Sequence, residues 1–273
     1  MSESSLSHRL KSLEDALTVS LFHRSSEGVT PTHAGLIFFE QAREALRILD
    51  LAAANAAAIS QGVAGRLTIG LYTSLSTGRL HDALAAFRAT HPDLDLHLVE
   101  GGRSQMIEGL SSRAIDLTVL IGPPDINLGE ALPLWRERMH IAVPIHHPFA
   151  SRARVQWHDL GSETVLISTR GAGPEALCLL ASKLGESARR TSTRSHFISR
   201  ETVLAMVGMG FGVSLMIESD LGRQPETVVT VPIDGDDEDD GYVALTAYRD
   251  PRNDNPPLRR FWSLLKASYA SVG

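Results

Sequence analysis

Ser4-Ser5-Leu6-Ser7-His8-Arg9-Leu10-Lys11-Ser12-Leu13-Glu14 decides how the chain begins and how the rest is read. Leu6, Leu10, Leu13 and Leu17 recur at three- and four-residue spacing, one apolar stripe of a helix that Ser2 can cap. His8, Arg9, Lys11 and Ser12 fall largely off that stripe. Leu21-Phe22-His23-Arg24 follows, then the turn-rich Ser25-Ser26-Glu27-Gly28 and the extended Val29-Thr30-Pro31. A glycine between two extended segments predicts a small β-hairpin, a wing.

The wing gives way to one long helix. Thr32 is a good N-cap, and beyond Gly35 the chain has neither proline nor glycine until after Ser60. Leu36, Phe39, Leu46, Leu49, Ala53 and Ala56 repeat near the helical period. Such a helix reaches roughly 40 Å at 1.5 Å per residue, too long for most single-domain cores. Periodicity alone leaves two readings open: a dimer-forming linker, or a helix lying across its own domain.

From Gly65 onward strands alternate with helices. Arg66 to Leu71, Asp95 to Val99, Ile115 to Ile121 and Met139 to Pro144 read as strands, separated by helical stretches at Gly78 to Thr90 and Ser104 to Arg113. A second set runs from Thr164 to Tyr248, and a helix from Pro257 to Ala270 closes the chain. This rhythm predicts α/β architecture with mostly parallel sheets and two similar lobes. Open α/β sheets bind ligands at the carboxyl ends of strands, so the cleft between lobes is the default pocket.

Composition narrows the function. With 43% hydrophobic and 21% charged residues, the 273-residue chain is ordinary globular material. Six of its 32 acids lie in Asp234 to Asp240, a solvated loop, and they account for the net charge of −6. That balance argues against coating nucleic acid non-specifically. No secretory leader is visible at the start, and the longest uncharged apolar stretch, Leu204 to Ile217, falls short of the roughly 20 residues a bilayer span needs. A cytoplasmic protein without membrane contact is expected. The one cysteine, Cys178, sits in an apolar helix pattern and reads as core. His140, His146 and His147 have no carboxylate at zinc-ligand spacing, and no G-x-S-x-G, phosphate loop or H-E-x-x-H occurs. Gly208, Gly210 and Gly212 are spaced unlike a dinucleotide fingerprint. No enzyme, metal or cofactor is expected.

The segments Ser4 to Glu14, Leu21 to Arg24 and Val29 to Gly35, with the spacing between them, resemble the LysR-type transcriptional regulators. The likeness continues through Gly65 to Gly70, Ala114 to Leu117 and Val207 to Gly212, and covers essentially the whole chain. It implies a partial winged helix-turn-helix head at 1–35, a linker and dimerisation helix at 36–62, and a periplasmic-binding-protein-like effector domain at 63–273. Lobe I would take about 63–144 and 241–273, and lobe II about 145–240. It also implies promoter DNA, a small-molecule effector and a homodimer or homotetramer. In such regulators about two helices precede the one that begins here, so Met1 stands at the door of the recognition helix. DNA binding by the chain from Met1 is expected to need that upstream segment.

Candidate DNA contacts by the same likeness are Glu3, Ser4, Ser5, Ser7, His8, Arg9, Lys11 and Arg24. Glu3 stands where these regulators often carry glutamine. A glutamate accepts from a cytosine amino group but repels phosphate. Residues 1–35 hold three Lys and Arg against four Asp and Glu, so the resemblance and not the charge carries this expectation.

Candidate effector contacts from lobe I are Thr73 and Ser74 after the first strand, Gly102 and Arg103 before a helix, and Ile121 and Gly122 at a strand end. Lobe II offers Ser168 and Thr169, Phe197 and Ser199, and Gly210 and Phe211, where close backbone approach would be useful. Each hydroxyl at a helix start is equally well an ordinary cap. Arg103 and Arg170 hint at an acidic ligand. Two alternatives stay open: a DNA-free protein of the solute-binding type, and a truncated partner that sequesters full-length regulators through the linker helix.

Overall fold

The computed structural model describes residues 3–25, 28–60, 65–185, 191–222, 224–235 and 240–269, with the side chains of 3–7, 24–25, 51 and 54–60 outside the description. Two compact units emerge, Met1–Gln61 and Gly62–Gly273.

The first unit holds helix α1 (Glu3–Leu17), the antiparallel hairpin β1 (Phe22–Ser25) and β2 (Gly28–Pro31), and helix α2 (His33–Ser60). Glu14 ties α1 to the hairpin, its Oε1 accepting the amides of Leu21 at 2.7 Å and Phe22 at 3.0 Å. Thr32 opens α2: its hydroxyl accepts from the Gly35 amide at 2.9 Å and donates to the Ser20 carbonyl at 2.8 Å. Gly35 is required by close approach, because a Cβ there would run into the Leu21 carbonyl. Along α2, Leu36, Phe39, Leu46 and Leu49 are all more than half exposed. Leu10 and Leu13 of α1 are half-buried, while Leu17 is exposed.

The second unit runs β3 (Arg66–Leu71), α3 (Arg79–Thr90), β4 (Asp95–Glu100), α4 (Arg103–Ser111), β5 (Leu117–Ile121), β6 (Glu130–Pro144) and β7 (Val155–Gln156). It continues with β8 (Thr164–Ser168), α5 (Gly173–Leu184), β9 (Ser192–His196), α6 (Arg200–Gly208), β10 (Ser214–Ile217), β11 (Val228–Asp234), β12 (Tyr242–Arg249) and α7 (Pro256–Tyr269). The main sheet has the order β4-β3-β5-β12-β6-β11-β7, with β10 also on β6, and β8 pairs with β9. Its outer pairs β3–β4, β3–β5 and β7–β11 are parallel, as is β8–β9. The pairs of β12 with β5 and β6, and of β6 with β10 and β11, are antiparallel. The sheet is therefore mixed, because the chain leaves lobe I along β6 and returns along β12.

β6 is nine residues longer at its start than the apolar run beginning at Met139 predicts. Glu130 to Arg138 carries Pro133 and four charged residues, which hides the strand's alternation. β12 pairs with it up to Arg138, whereas β10 begins at Met139 and β11 at His140. Pairing thus changes hands inside β6, between Arg138 and Met139, ahead of the lobe boundary expected at about residue 144. His147 instead opens a short 3-10 turn, its Nδ1 accepting from the Phe149 amide at 3.2 Å. The returning passage lies between β11 and β12, and its acidic residues 236–239 lie outside the described residues.

The core is built on both sides of this sheet. Leu67 and Ile69 of β3, Leu117 of β5, and Leu258, Phe261 and Leu265 of α7 are fully buried. Phe87 of α3 meets Phe261 with ring centroids 5.0 Å apart. Cys178 does not join them. It is exposed on α5, whose buried positions are Leu180 and Leu184, the opposite face at helical spacing.

Candidate functional site

The strand ends of the second unit enclose a cavity of about 550 Å³. β3 delivers Leu71 and then Tyr72, Thr73 and Ser74, and β5 delivers Ile121 and Gly122. Opposite them, β8 delivers Ser168, the approach to α5 supplies Gly171 to Gly173, and Ser199 and Arg200 open α6. The lining is mostly apolar, with Met139, Leu166, Leu215 and Val243 among it, and a few polar groups converge on it.

Six of the twelve residues expected to touch an effector line this cavity: Thr73, Ser74, Ile121, Gly122, Ser168 and Ser199. The Ser74 hydroxyl bonds that of Ser76 at 2.9 Å, and Ser199 Oγ accepts the Thr202 amide at 3.3 Å as the cap of α6. Ser168 Oγ donates to the Ile198 carbonyl at 2.8 Å. The helix start is electrically active: its neighbour Glu201 has its carboxyl held below the usual range by its own amide and the Ser199 hydroxyl.

The other six do not line it. Arg103 donates to the Ile121 carbonyl at 3.1 Å, a contact that braces the strand end, and stands beside the Tyr72 hydroxyl. Gly102 precedes it as the start of α4. Thr169 Oγ1 lies 3.4 Å from the His196 carbonyl, and Phe197 is 82% exposed beneath the Arg170 guanidinium. Gly210 has open space around it; its φ of +81° is what calls for glycine there, and not close approach. Close approach falls on Gly212, where a Cβ would meet the Thr164 carbonyl. Phe211 is half exposed.

Four lining groups were not legible in the sequence. Tyr72, 2% exposed, has its hydroxyl held far above its ordinary pKa by burial and then by the Glu175 carboxylate beside it. Asp220, 6% exposed, is pushed up by burial against the pull of its ion pair with Arg200. Glu175 and Arg200 stand in the first turns of α5 and α6, where acids and caps are commonplace, and Asp220 follows β10 with no motif around it.

In the first unit, His8, Arg9 and Lys11 are exposed on α1. The side chains of Glu3, Ser4, Ser5, Ser7 and Arg24 lie outside the described residues.

Residues 60–270 match the family described as the LysR substrate binding domain, and residues 1–36 match the bacterial regulatory helix-turn-helix protein, lysR family. The chain belongs to the LysR family. It is a DNA-binding transcriptional regulator with an effector-binding domain, not an enzyme. Among similar proteins, the hydrogen peroxide-inducible genes activator of Pectobacterium carotovorum subsp. carotovorum is 30% identical over 276 residues, covering 100% of this chain and 86% of that one. The transcriptional dual regulator GltC of Bacillus subtilis is 27% identical, over 85% of this chain and 77% of its own length. The crystal structure of CbnR, a LysR family transcriptional regulator, superposes with a TM-score of 0.75 at 19% identity, covering 98% of this chain and 90% of that one. At that identity the likeness speaks for the fold. No helix of the described residues is long and apolar enough to cross a membrane.

Proposed function

We propose that this regulator responds to a small molecule held in the cavity between the β3 and β5 ends of lobe I and the α5 and α6 starts of lobe II. The observation that carries this reading is the convergence of Thr73 and Ser74 from one lobe with Ser168 and Ser199 from the other on a single mostly apolar cavity. A ligand touching both sides biases their relative orientation by its differential affinity for the two arrangements. The lobes divide in β6 at Arg138–Met139 and again between β11 and β12, within an effector domain of about 63–273. Residues 1–35 form the DNA head, where His8, Arg9 and Lys11 reach DNA together with Glu3, Ser4, Ser5, Ser7 and Arg24. Residues 36–62 join protomers into a homodimer or homotetramer, because the exposed leucines of α2 ask for a partner face. The setting is the cytoplasm, where promoter DNA is found.

The inducer of a relative does not transfer by name. One cysteine in 273 residues leaves this chain without an intramolecular disulfide, so a peroxide-driven disulfide within the subunit is no part of the reading. A calorimetric titration of the identified effector against Thr73→Val, Ser74→Ala and Ser199→Ala tests the site. Unchanged affinity in all three, with intact circular dichroism, would place the site elsewhere and leave the hydroxyls as caps.

A further inference from the structure

The charge of the cavity runs against the acidic ligand that Arg103 and Arg170 suggest in the sequence. Four carboxylates line it, Glu100, Glu175, Glu201 and Asp220, against the guanidinium groups of Arg170 and Arg200. Both cations are engaged. Arg200 is paired with Asp220 Oδ2, and Arg170 lies over the Phe197 ring, 5.7 Å from its centroid. Arg103 donates to the Ile121 carbonyl and stands beside the Tyr72 hydroxyl, and is not itself part of the lining.

Asp220 is the most exacting of these groups. Its Oδ2 accepts the Ile217 amide at 3.0 Å in addition to Arg200, while its Oδ1 is buried without a partner at hydrogen-bond geometry, the Ser74 amide standing close enough to favour the carboxylate. A second buried carboxylate, Glu137 at 4% exposure, stands close enough to oppose Asp220's ionisation. The oxygens of Glu137 are occupied by Trp135 Nε1 and the Ser219 amide, both at 2.9 Å. Two buried carboxylates therefore lie near each other, and the guanidinium of Arg200 is paired with Asp220. Elsewhere on the lining, the Tyr72 hydroxyl and Glu175 Oε2 are also buried without a partner at hydrogen-bond geometry, although they stand beside each other and Arg103 stands beside Tyr72. Buried polar atoms are nearly always satisfied in native proteins, and three orphans on residues that line one cavity mark where a ligand's own groups would supply the missing partners once those side chains turn toward it.

We propose that the effector carries a cationic amine whose N–H donors are received by Asp220 Oδ1. Glu175 and Tyr72 take a second polar group of the same molecule. The inference rests on reading this cavity as the effector site. An acid placed here would add negative charge to a lining that already holds two carboxylates in excess of its cations. An ammonium satisfies the orphaned oxygen and balances the buried charge in one contact.

Matched probes test it on the full chain. One set is tyramine, 4-hydroxyphenylacetate and tyrosol; the other is 1,5-diaminopentane, glutarate and 1,5-pentanediol. Thermal unfolding at millimolar probe and neutral pH is followed by calorimetric titration of any probe that raises the melting temperature. An amine should bind in preference to its matched acid and alcohol. Asp220→Asn should weaken that amine by about tenfold or more, the size expected when a charge-assisted hydrogen bond is lost. Glu175→Gln should weaken it in the same direction if Asp220→Asn does not fold. The cavity-filling variant Ala176→Trp should abolish it. Preference for the acid or the alcohol, abolished by Ala176→Trp, would overturn the amine and leave the cavity as the effector site. Amine binding that survives both Asp220→Asn and Ala176→Trp would remove the amine and the cavity together. If no amine of either set binds, the amine is overturned, and the cavity is then judged by the Thr73, Ser74 and Ser199 variants alone.

Discussion

The Ser76 hydroxyl of lobe I donates to the Ser219 carbonyl of lobe II at 3.2 Å, and Thr77 Oγ1 reaches the same carbonyl at 3.2 Å. The Ser219 amide in turn donates to Glu137 on β6, so the contact is anchored in the shared strand. This pair of hydroxyls latches the lobes together just beyond the residues that line the cavity.

Ser76→Ala combined with Thr77→Val should loosen the latch. Each lost hydrogen bond removes about 0.5–1.5 kcal/mol, which lowers the melting temperature by roughly 1–5 °C in a domain this size. The double variant should also scatter X-rays with a larger radius of gyration when ligand-free. An unchanged radius and melting temperature would show that other contacts hold the lobes.

Assembly should depend on α2. Leu46 and Leu49 are 62% and 64% exposed, and replacing both with glutamate should shift light scattering of the intact chain toward monomer while the effector domain stays folded. A wild-type chain that is strictly monomeric at micromolar concentration would refute the linker reading.

Arg9→Ala and Lys11→Ala should each weaken promoter binding and flatten its salt dependence, by about 0.9 in the log–log slope for each phosphate contact removed. A loss confined to particular base pairs, with the slope unchanged, would instead make the residue a base reader. No effect from either variant, in a chain that binds, would move the contact surface off this face of α1.

Asp250 should give the second unit part of its pH dependence. It accepts from Arg252 at 3.0 Å, Arg113 at 3.2 Å and the Arg252 amide at 2.9 Å, and these donors hold its carboxyl well below the usual range. A depressed folded-state pKa adds stability above the unfolded value and loses it as the pH falls through the folded one. Asp250→Asn should therefore lower the melting temperature at neutral pH, and the gap to wild type should narrow as the pH drops below about 4. A gap that is constant with pH would mean packing and not charge is at work.

What was legible in the sequence follows from how local each signal is. Thr32, Gly35 and the leucine stripes act within a turn or two of helix, so α2 and the hairpin could be read directly. The first half of β6 could not, because its burial pattern is set by α7 and β12 from far along the chain and tolerates Arg136 and Arg138 in exposed or half-buried positions. Cys178 misled because its apolar neighbours Leu177 and Leu179 are only half-buried, and one helix face decides which residues leave water. Thr73, Ser74 and Ser199 were reachable because hydroxyls at strand ends are a recognisable pattern. Tyr72, Glu175 and Asp220 become a group only when three distant segments meet, and no spacing encodes that.

β6 has a mechanical consequence. A strand hydrogen-bonded to β12 along one half and to β10 and β11 along the other has no slack at which to fold over. The domain is thereby built less like a pair of jaws on a pin than like two plates riveted to one ribbon. For a ligand in the proposed cavity, torsion about that ribbon is the relative movement of the lobes that keeps this pairing intact.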